Sequence, residues 1–182
     1  MPRMTRVMAV TAALLLTLSW NGRAAAQGYG VGYTDVGPVI GFGGLGEAGL
    51  SIGGRFERAI KALPDMGNGV LGIEASFDWW SFSVGSFDWS YIGIAGTVNY
   101  HFHVEGGEWD PFLGLGLGDY IVNAPDCGPI SCGSYGTGIY FVGRAGVRYF
   151  FSPAMAAYAD VGAGAATFNA GIMFKLSGGD GM

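Results

Sequence analysis

Cysteine, histidine and positive charge are all scarce in this chain: two Cys, two His and nine Lys or Arg stand among 182 residues. Two cysteines cannot make the framework of a multiply stapled scaffold, and with His101 and His103 far off in sequence Cys127 and Cys132 do not form a metal set. Few Lys and Arg argue against nucleic acid as a partner, because gripping phosphate backbones depends on them. No apolar run reaches the roughly 20 residues that a spanning helix needs. After Gln27, no window of useful length places apolar residues at helical spacing.

What is present begins with an export layout. Arg3 and Arg6 precede an apolar stretch from Val7 to Leu18, and Ala24, Ala25 and Ala26 stand just before Gln27. That order, a basic start, an apolar stretch of about a dozen residues and small residues at a cut, predicts a cleaved secretory signal over residues 1–26 and one mature domain over 27–182. Losing the signal removes Arg3, Arg6 and Arg23 and none of the 14 acidic residues, so the mature chain carries a net charge of −8. In an exported protein Cys127 and Cys132 are expected to form a disulfide. Closing so short a loop contributes about 2 kcal/mol and clips one loop.

The mature chain alternates with period two, and its 35 glycines lie inside the alternating runs as well as between them. Eight strands are expected: Gly37 to Gly43, Gly49 to Ile60, Val70 to Phe82, Ser90 to His103, Asp110 to Val122, Gly138 to Phe151, Met155 to Gly162 and Thr167 to Leu176. Eight antiparallel strands, most of them near the 9 to 11 residues that cross a bilayer at a tilt, predict an all-β, up-and-down transmembrane barrel. A short segment, Gln27 to Asp35, is expected to stay in the periplasm. The outer connections would then be Gly44 to Ala48, Ser83 to Trp89, Asn123 to Gly136 and Ala163 to Ala166. Of these only the second and third are long enough to offer a partner a surface.

Each strand has two unlike faces. Ile92, Ile94, Val98, Tyr100 and Phe102 oppose Gly93, Ala95, Thr97, Asn99 and His101, and Phe141, Ala145, Val147 and Tyr149 oppose Tyr140, Val142, Arg144 and Arg148. The mixed face is expected inside, with Arg55, Glu57, Glu74, Asp78, Arg144, Arg148, Asp160 and Lys175 forming a balanced set of four acids and four bases. Buried charge must pair, so a lumen plugged by ion pairs is expected. A rival use of the same residues is a narrow porin-like channel, with Gly72, Gly93, Gly114, Gly116, Gly146 and Gly171 leaving water-sized gaps. Aromatics crowd the strand ends, and Trp79, Trp80, Trp89, Tyr91, Tyr100, Phe102, Trp109 and Tyr149 are expected to form lipid-facing girdles. A secreted barrel holding an apolar ligand would need the opposite orientation of the faces.

The passage Asn99-Tyr100-His101-Phe102 through Trp109-Asp110-Pro111-Phe112 to Leu113-Gly114-Leu115-Gly116-Leu117-Gly118 resembles the small outer-membrane β-barrels of the opacity-like and OmpA-like group. So does the last hairpin, Phe151-Ser152-Pro153 with Ala157-Tyr158-Ala159-Asp160-Val161-Gly162 and Ala170-Gly171-Ile172-Met173-Phe174. The resemblance covers essentially the whole mature chain and implies a barrel in the outer membrane of a Gram-negative bacterium, in contact with its lipid. Members usually end on an aromatic that serves as an assembly signal, whereas here Lys175, Leu176 and a tail to Met182 follow Phe174. No cofactor is implied.

Catalysis is not expected. His101 shares the inward parity with Ser76, Thr97 and Asp78, but no Ser and His share a tight spacing, as an activated nucleophile requires. The glycines between Gly41 and Gly46 precede no βαβ unit, so they make no phosphate loop. The expected role is that of a scaffold or surface-loop interaction protein, meeting an extracellular or envelope partner at the 83–89 and 123–136 loops.

Overall fold

A computed structural model describes residues 28–46, 48–84, 87–123 and 138–178. Eight strands run in order: β1 (Thr34–Phe42), β2 (Ser51–Leu63), β3 (Gly69–Val84), β4 (Phe87–His101), β5 (Trp109–Asn123), β6 (Gly138–Ser152), β7 (Met155–Ala163) and β8 (Phe168–Ser177). Each pairs antiparallel with its neighbour, and β1 pairs with β8, which closes the barrel and leaves no free edge. The all-β, eight-stranded barrel expected from the alternation is the architecture found.

The period of two explains why these segments are strands and which face turns in. On β5, Leu113, Leu115 and Leu117 point outward, with Leu115 64% exposed, while Phe112 and Gly114 face the lumen. On β2 the outward Ile52 and Phe56 alternate with the buried Ser51, Arg55 and Glu57. The barrel is therefore inverted relative to a soluble core: carbon outside, charge within. The closing seam is narrow. A Cβ at Gly37 would strike the Ile172 carbonyl, and one at Gly171 would strike that of Pro38. The β1–β8 ladder lapses at Gly37 and Pro38, where proline has no N–H to donate.

Several boundaries differ from those expected. β1 begins at Thr34, so Thr34 and Asp35 belong to the wall and not to a periplasmic segment, and residues 28–33 lie in the barrel mouth. β2 runs on to Leu63 through a register shift between Ala59 and Lys61, which absorbs one residue. The turn after it holds Gly67 and Asn68 in left-handed conformations. The hairpin of β3 and β4 stays paired through Ser83↔Asp88 and Val84↔Phe87, so most of the expected 83–89 loop is strand. That hairpin rises above the end of β2 by five residues, Trp80 to Val84, or about 16 Å along the strand. Cys127 and Cys132 lie outside the described residues.

Candidate functional site

Among the described residues chemistry-bearing side chains converge in the lumen, and β2, β3, β5, β6 and β7 all aim charges into it. An eight-stranded barrel encloses a space just wide enough for its own side chains. Each inward position therefore meets neighbours from across the barrel as well as beside it.

Toward the end that holds the N-terminal segment, Arg148 is the hub, with no exposed surface. Its Nε lies 3.2 Å from Asp35 Oδ2, its Nη1 3.3 Å from Asp110 Oδ2, and its Nη2 donates to Glu57. The guanidinium also faces the rings of Tyr29 at 5.2 Å and Phe112 at 5.4 Å. His101 bridges the same acids: Nδ1 is 2.9 Å from Asp110 Oδ1 and Nε2 is 2.8 Å from Glu57 Oε1. Two ring nitrogens that both face carboxylates are satisfied together by the imidazolium, in which each donates. Neither nitrogen is left to activate a hydroxyl.

The N-terminal segment covers this hub. Tyr29 stacks on His101 with centroids 3.6 Å apart, and its hydroxyl donates to Glu57 at 2.9 Å. Tyr33 donates to Asp35 at 3.2 Å and packs edge-on against Phe150. Burial, reinforced by Glu57 for Tyr29 and by Asp35 for Tyr33, pushes both phenols well above their ordinary range, so they remain donors. Gly32 N–H donates to the Ala59 carbonyl and Ala59 N–H to the Tyr33 carbonyl, which ties the segment to β2.

Midway along the lumen, Glu74 joins two arginines: Arg144 Nη1 at 2.8 Å and Arg55 Nε at 3.9 Å. Arg55 reaches on to Asp78 at 3.1 Å, and Arg144 to Asp160 at 3.6 Å. Asn99 donates to Glu74 at 3.2 Å, while Asn169 (2.8 Å) and Tyr158 donate to Asp160. Three of the glycines named as leaving gaps have that space taken by side chains. Glu57 and Tyr29 occupy the space at Gly72, Asn99 and Arg144 that at Gly114, and Phe112 that at Gly146.

At the far end the lumen turns apolar. Trp80, only 5% exposed, packs with Leu45, Ala48, Ala165 and Ala166 from the two short connections that fold over the mouth. Tyr91 stacks on Trp80 at 5.3 Å, Tyr120 meets it edge-on at 5.6 Å, and Tyr140 stacks on Tyr120 at 4.1 Å. The expected girdle is corrected here: Trp80, Trp89 and Tyr91 share the inward parity of Asp78 and Thr97, and parity decides which way a strand residue points. Trp79, Phe102, Trp109 and Tyr149 are exposed on the outside, with Trp109 4.7 Å from Tyr149. Tyr100 is half-buried, packing on Phe102 and donating to the Met66 carbonyl.

Of the eight charges placed inside from the sequence, seven are buried together: Arg55, Glu57, Glu74, Asp78, Arg144, Arg148 and Asp160. Lys175 is half-buried, its Nζ 5.8 Å from the Tyr33 ring. The sequence reading missed Asp35, Asp110, Tyr29 and Tyr33. Asp35 and Asp110 carried a usable signal, since each lies on the inward parity of its strand. The expected balance also shifts: among the described residues six buried carboxylates face three arginines and His101. Phenol and amide donors serve the surplus.

Neither a family model nor a curated protein matches the sequence. Among solved structures the chain is similar to Neisserial surface protein A, at 17% identity over 80% of this chain and 97% of that one, with a TM-score of 0.52. It also aligns with the Yersinia pestis outer membrane protein Ail in a phospholipid bilayer nanodisc, at 14% identity over 80% of this chain and 99% of that one, with a TM-score of 0.46.

Proposed function

We propose that the chain is a bacterial outer-membrane barrel with a sealed lumen, a non-enzymatic scaffold that anchors itself in lipid and presents its outer connections, chiefly the 123–136 segment, to an extracellular or envelope partner. One observation carries the reading: the wall is carbon outside and ion-paired inside. A soluble barrel would expose Leu113, Leu115, Leu117 and Phe141 to water as part of an apolar band far larger than soluble monomers tolerate. In a bilayer the same band meets hydrocarbon, with Trp109 and Tyr149 at one rim and Trp79 near the other. The fold shared with Neisserial surface protein A agrees with that placement.

The lumen favours a scaffold over a channel. A conducting path needs sites that ions can enter and leave, whereas these charges are locked in mutual pairs between an aromatic cluster and the Tyr29–Tyr33 segment. The test has two steps. Membrane fractions are run boiled and unboiled on a denaturing gel, where a folded barrel is expected to migrate faster unboiled. The purified protein is then added to a planar bilayer, where silence is expected. Absence of the gel shift, with the protein in the soluble periplasm, would overturn the membrane reading. Steady conductance that changes with Arg144→Ala would replace the scaffold with a channel.

A further inference from the structure

On the outer wall, β1, β2, β3 and β8 border a groove of about 630 Å³ at the closing seam. Its floor is Pro38 and Gly54, its sides are Ile52, Phe77, Trp79 and Phe174, and carbon lines it almost throughout. Gly54 points outward between Ile52 and Phe56 and forms the depression with its cross-strand partner Pro38, while the larger Ile52, Phe77, Trp79 and Phe174 stand around it. A Cβ there would make only ordinary contact, with the Gly37 carbonyl at 3.6 Å. The groove is thus open for want of a side chain.

Charge singles out one end of the groove. The described residues hold six Lys and Arg: Arg55, Arg144 and Arg148 are buried in the lumen and Lys175 is half-buried at its mouth. Only Arg58 and Lys61 are exposed, and both lie on β2 past Phe56, toward the end that the proposed orientation places in the periplasm. Arg58 is four residues from Gly54, about 13 Å along the strand and about 10 Å in depth at the usual tilt of barrel strands, so its long side chain spans the remaining distance to the edge of a hydrocarbon core about 30 Å thick. Among the described residues neither side chain has a carboxylate partner. In a chain with a surplus of acid, both exposed cations therefore lie to one side of an apolar groove, within side-chain reach of headgroups in the proposed orientation.

We propose that this seam holds one anionic phospholipid of the periplasmic leaflet, an acyl chain lying over Gly54 and Pro38 and the phosphate set between Arg58 and Lys61. A long guanidinium stem can lie along the wall while its head reaches the interface. Two basic side chains near the headgroup favour an anionic lipid over a zwitterionic one. The site rests on the membrane reading above, since a soluble barrel would present the groove to water.

The test is native mass spectrometry of the full chain recovered from membranes in mild detergent and titrated with phosphatidylglycerol or phosphatidylcholine of identical acyl chains. One phosphatidylglycerol is expected to be retained about tenfold more than phosphatidylcholine. The double variant Arg58→Gln with Lys61→Gln should lose that preference and keep the weaker phosphatidylcholine binding, whereas Gly54→Leu, which fills the groove, should lower retention of both. The boiled and unboiled gel comparison is run on every variant, so folding is read separately. Equal retention of the two lipids by a protein that still shifts on boiling would overturn the site and leave the membrane reading standing. A dimer mass abolished by Gly54→Leu would overturn it in favour of a second copy at the groove. A protein that neither shifts nor retains lipid would sink both readings.

Discussion

The two ends of the lumen are closed by opposite means. At the N-terminal end a charged hub, Arg148 with Asp35, Glu57, Asp110 and His101, is capped by two tyrosines that both donate, Tyr29 stacking on His101 and Tyr33 packing edge-on against Phe150. At the loop end Trp80 and its tyrosine neighbours close the mouth chiefly by packing, against alanines and Leu45, with Tyr120 donating to the Gly164 carbonyl at 3.3 Å. The first closure depends on every partner being present, because a buried charge without its mate is costly. The second tolerates loss in proportion to the volume removed, because the connections above it can settle. One end is thus specific and brittle, and the other is bulky and forgiving.

The largest effect that would test this contrast is Arg148→Ala, which leaves Asp35, Glu57 and Asp110 without their shared cation. A loss of about 3–5 kcal/mol is expected, read as a lower urea midpoint for the barrel folded in lipid vesicles. Arg148→Lys should recover only part of it, since an ammonium cannot serve three carboxylates from one planar fork. At the other end, Trp80→Ala is expected to cost about 3 kcal/mol, the low side of the range for a buried tryptophan. A Trp80→Ala loss clearly above that of Arg148→Ala would reverse the ranking of the two closures. Smaller again is Tyr29→Phe, which keeps the stack on His101 and deletes the hydrogen bond to Glu57. About 1 kcal/mol is expected on the same urea curve, and no change would mean that the cap acts through its ring alone.

These two ends also differ in how plainly the sequence announces them. Strand interiors were readable because alternation is a geometric consequence of the pleat, and it placed Arg55, Glu74, Asp78, Arg144 and Arg148 on one side. Strand ends were harder, because glycines and aromatics belong equally to a strand and to a turn. Asp35 was assigned to the leading segment although it shares parity with Gly37, Val39 and Gly41. Trp80, Trp89 and Tyr91 were read as a lipid girdle because aromatics near a loop outweighed a parity that pointed them inward. Nothing local marks Tyr29 or Tyr33: they sit in a glycine-rich run, and their partners, His101, Glu57 and Asp35, are set by closure of the barrel. Closure is a long-range event that no window along the chain contains.

The smallest expected effect is a coupling between the ends. Tyr29 meets β3 beside Gly72, and Trp80 lies eight residues further along that strand, about 26 Å away. Side chains that far apart with no shared partner should add, so the double variant Tyr29→Phe with Trp80→Ala is expected to deviate from the sum of the singles by no more than about 0.5 kcal/mol. The pair Tyr29→Phe with Arg148→Ala shares Glu57 as a partner, and there a deviation of about 1 kcal/mol or more is expected. Together the two cycles ask whether the ladder of ion pairs between the ends, through Glu74 and Arg144, transmits strain or merely fills space. Additivity across the barrel with coupling inside the hub would make each closure a separate device. A sizeable coupling across 26 Å would mean that the buried charges behave as one network, and that a partner held at the outer loops could be felt at the N-terminal cap.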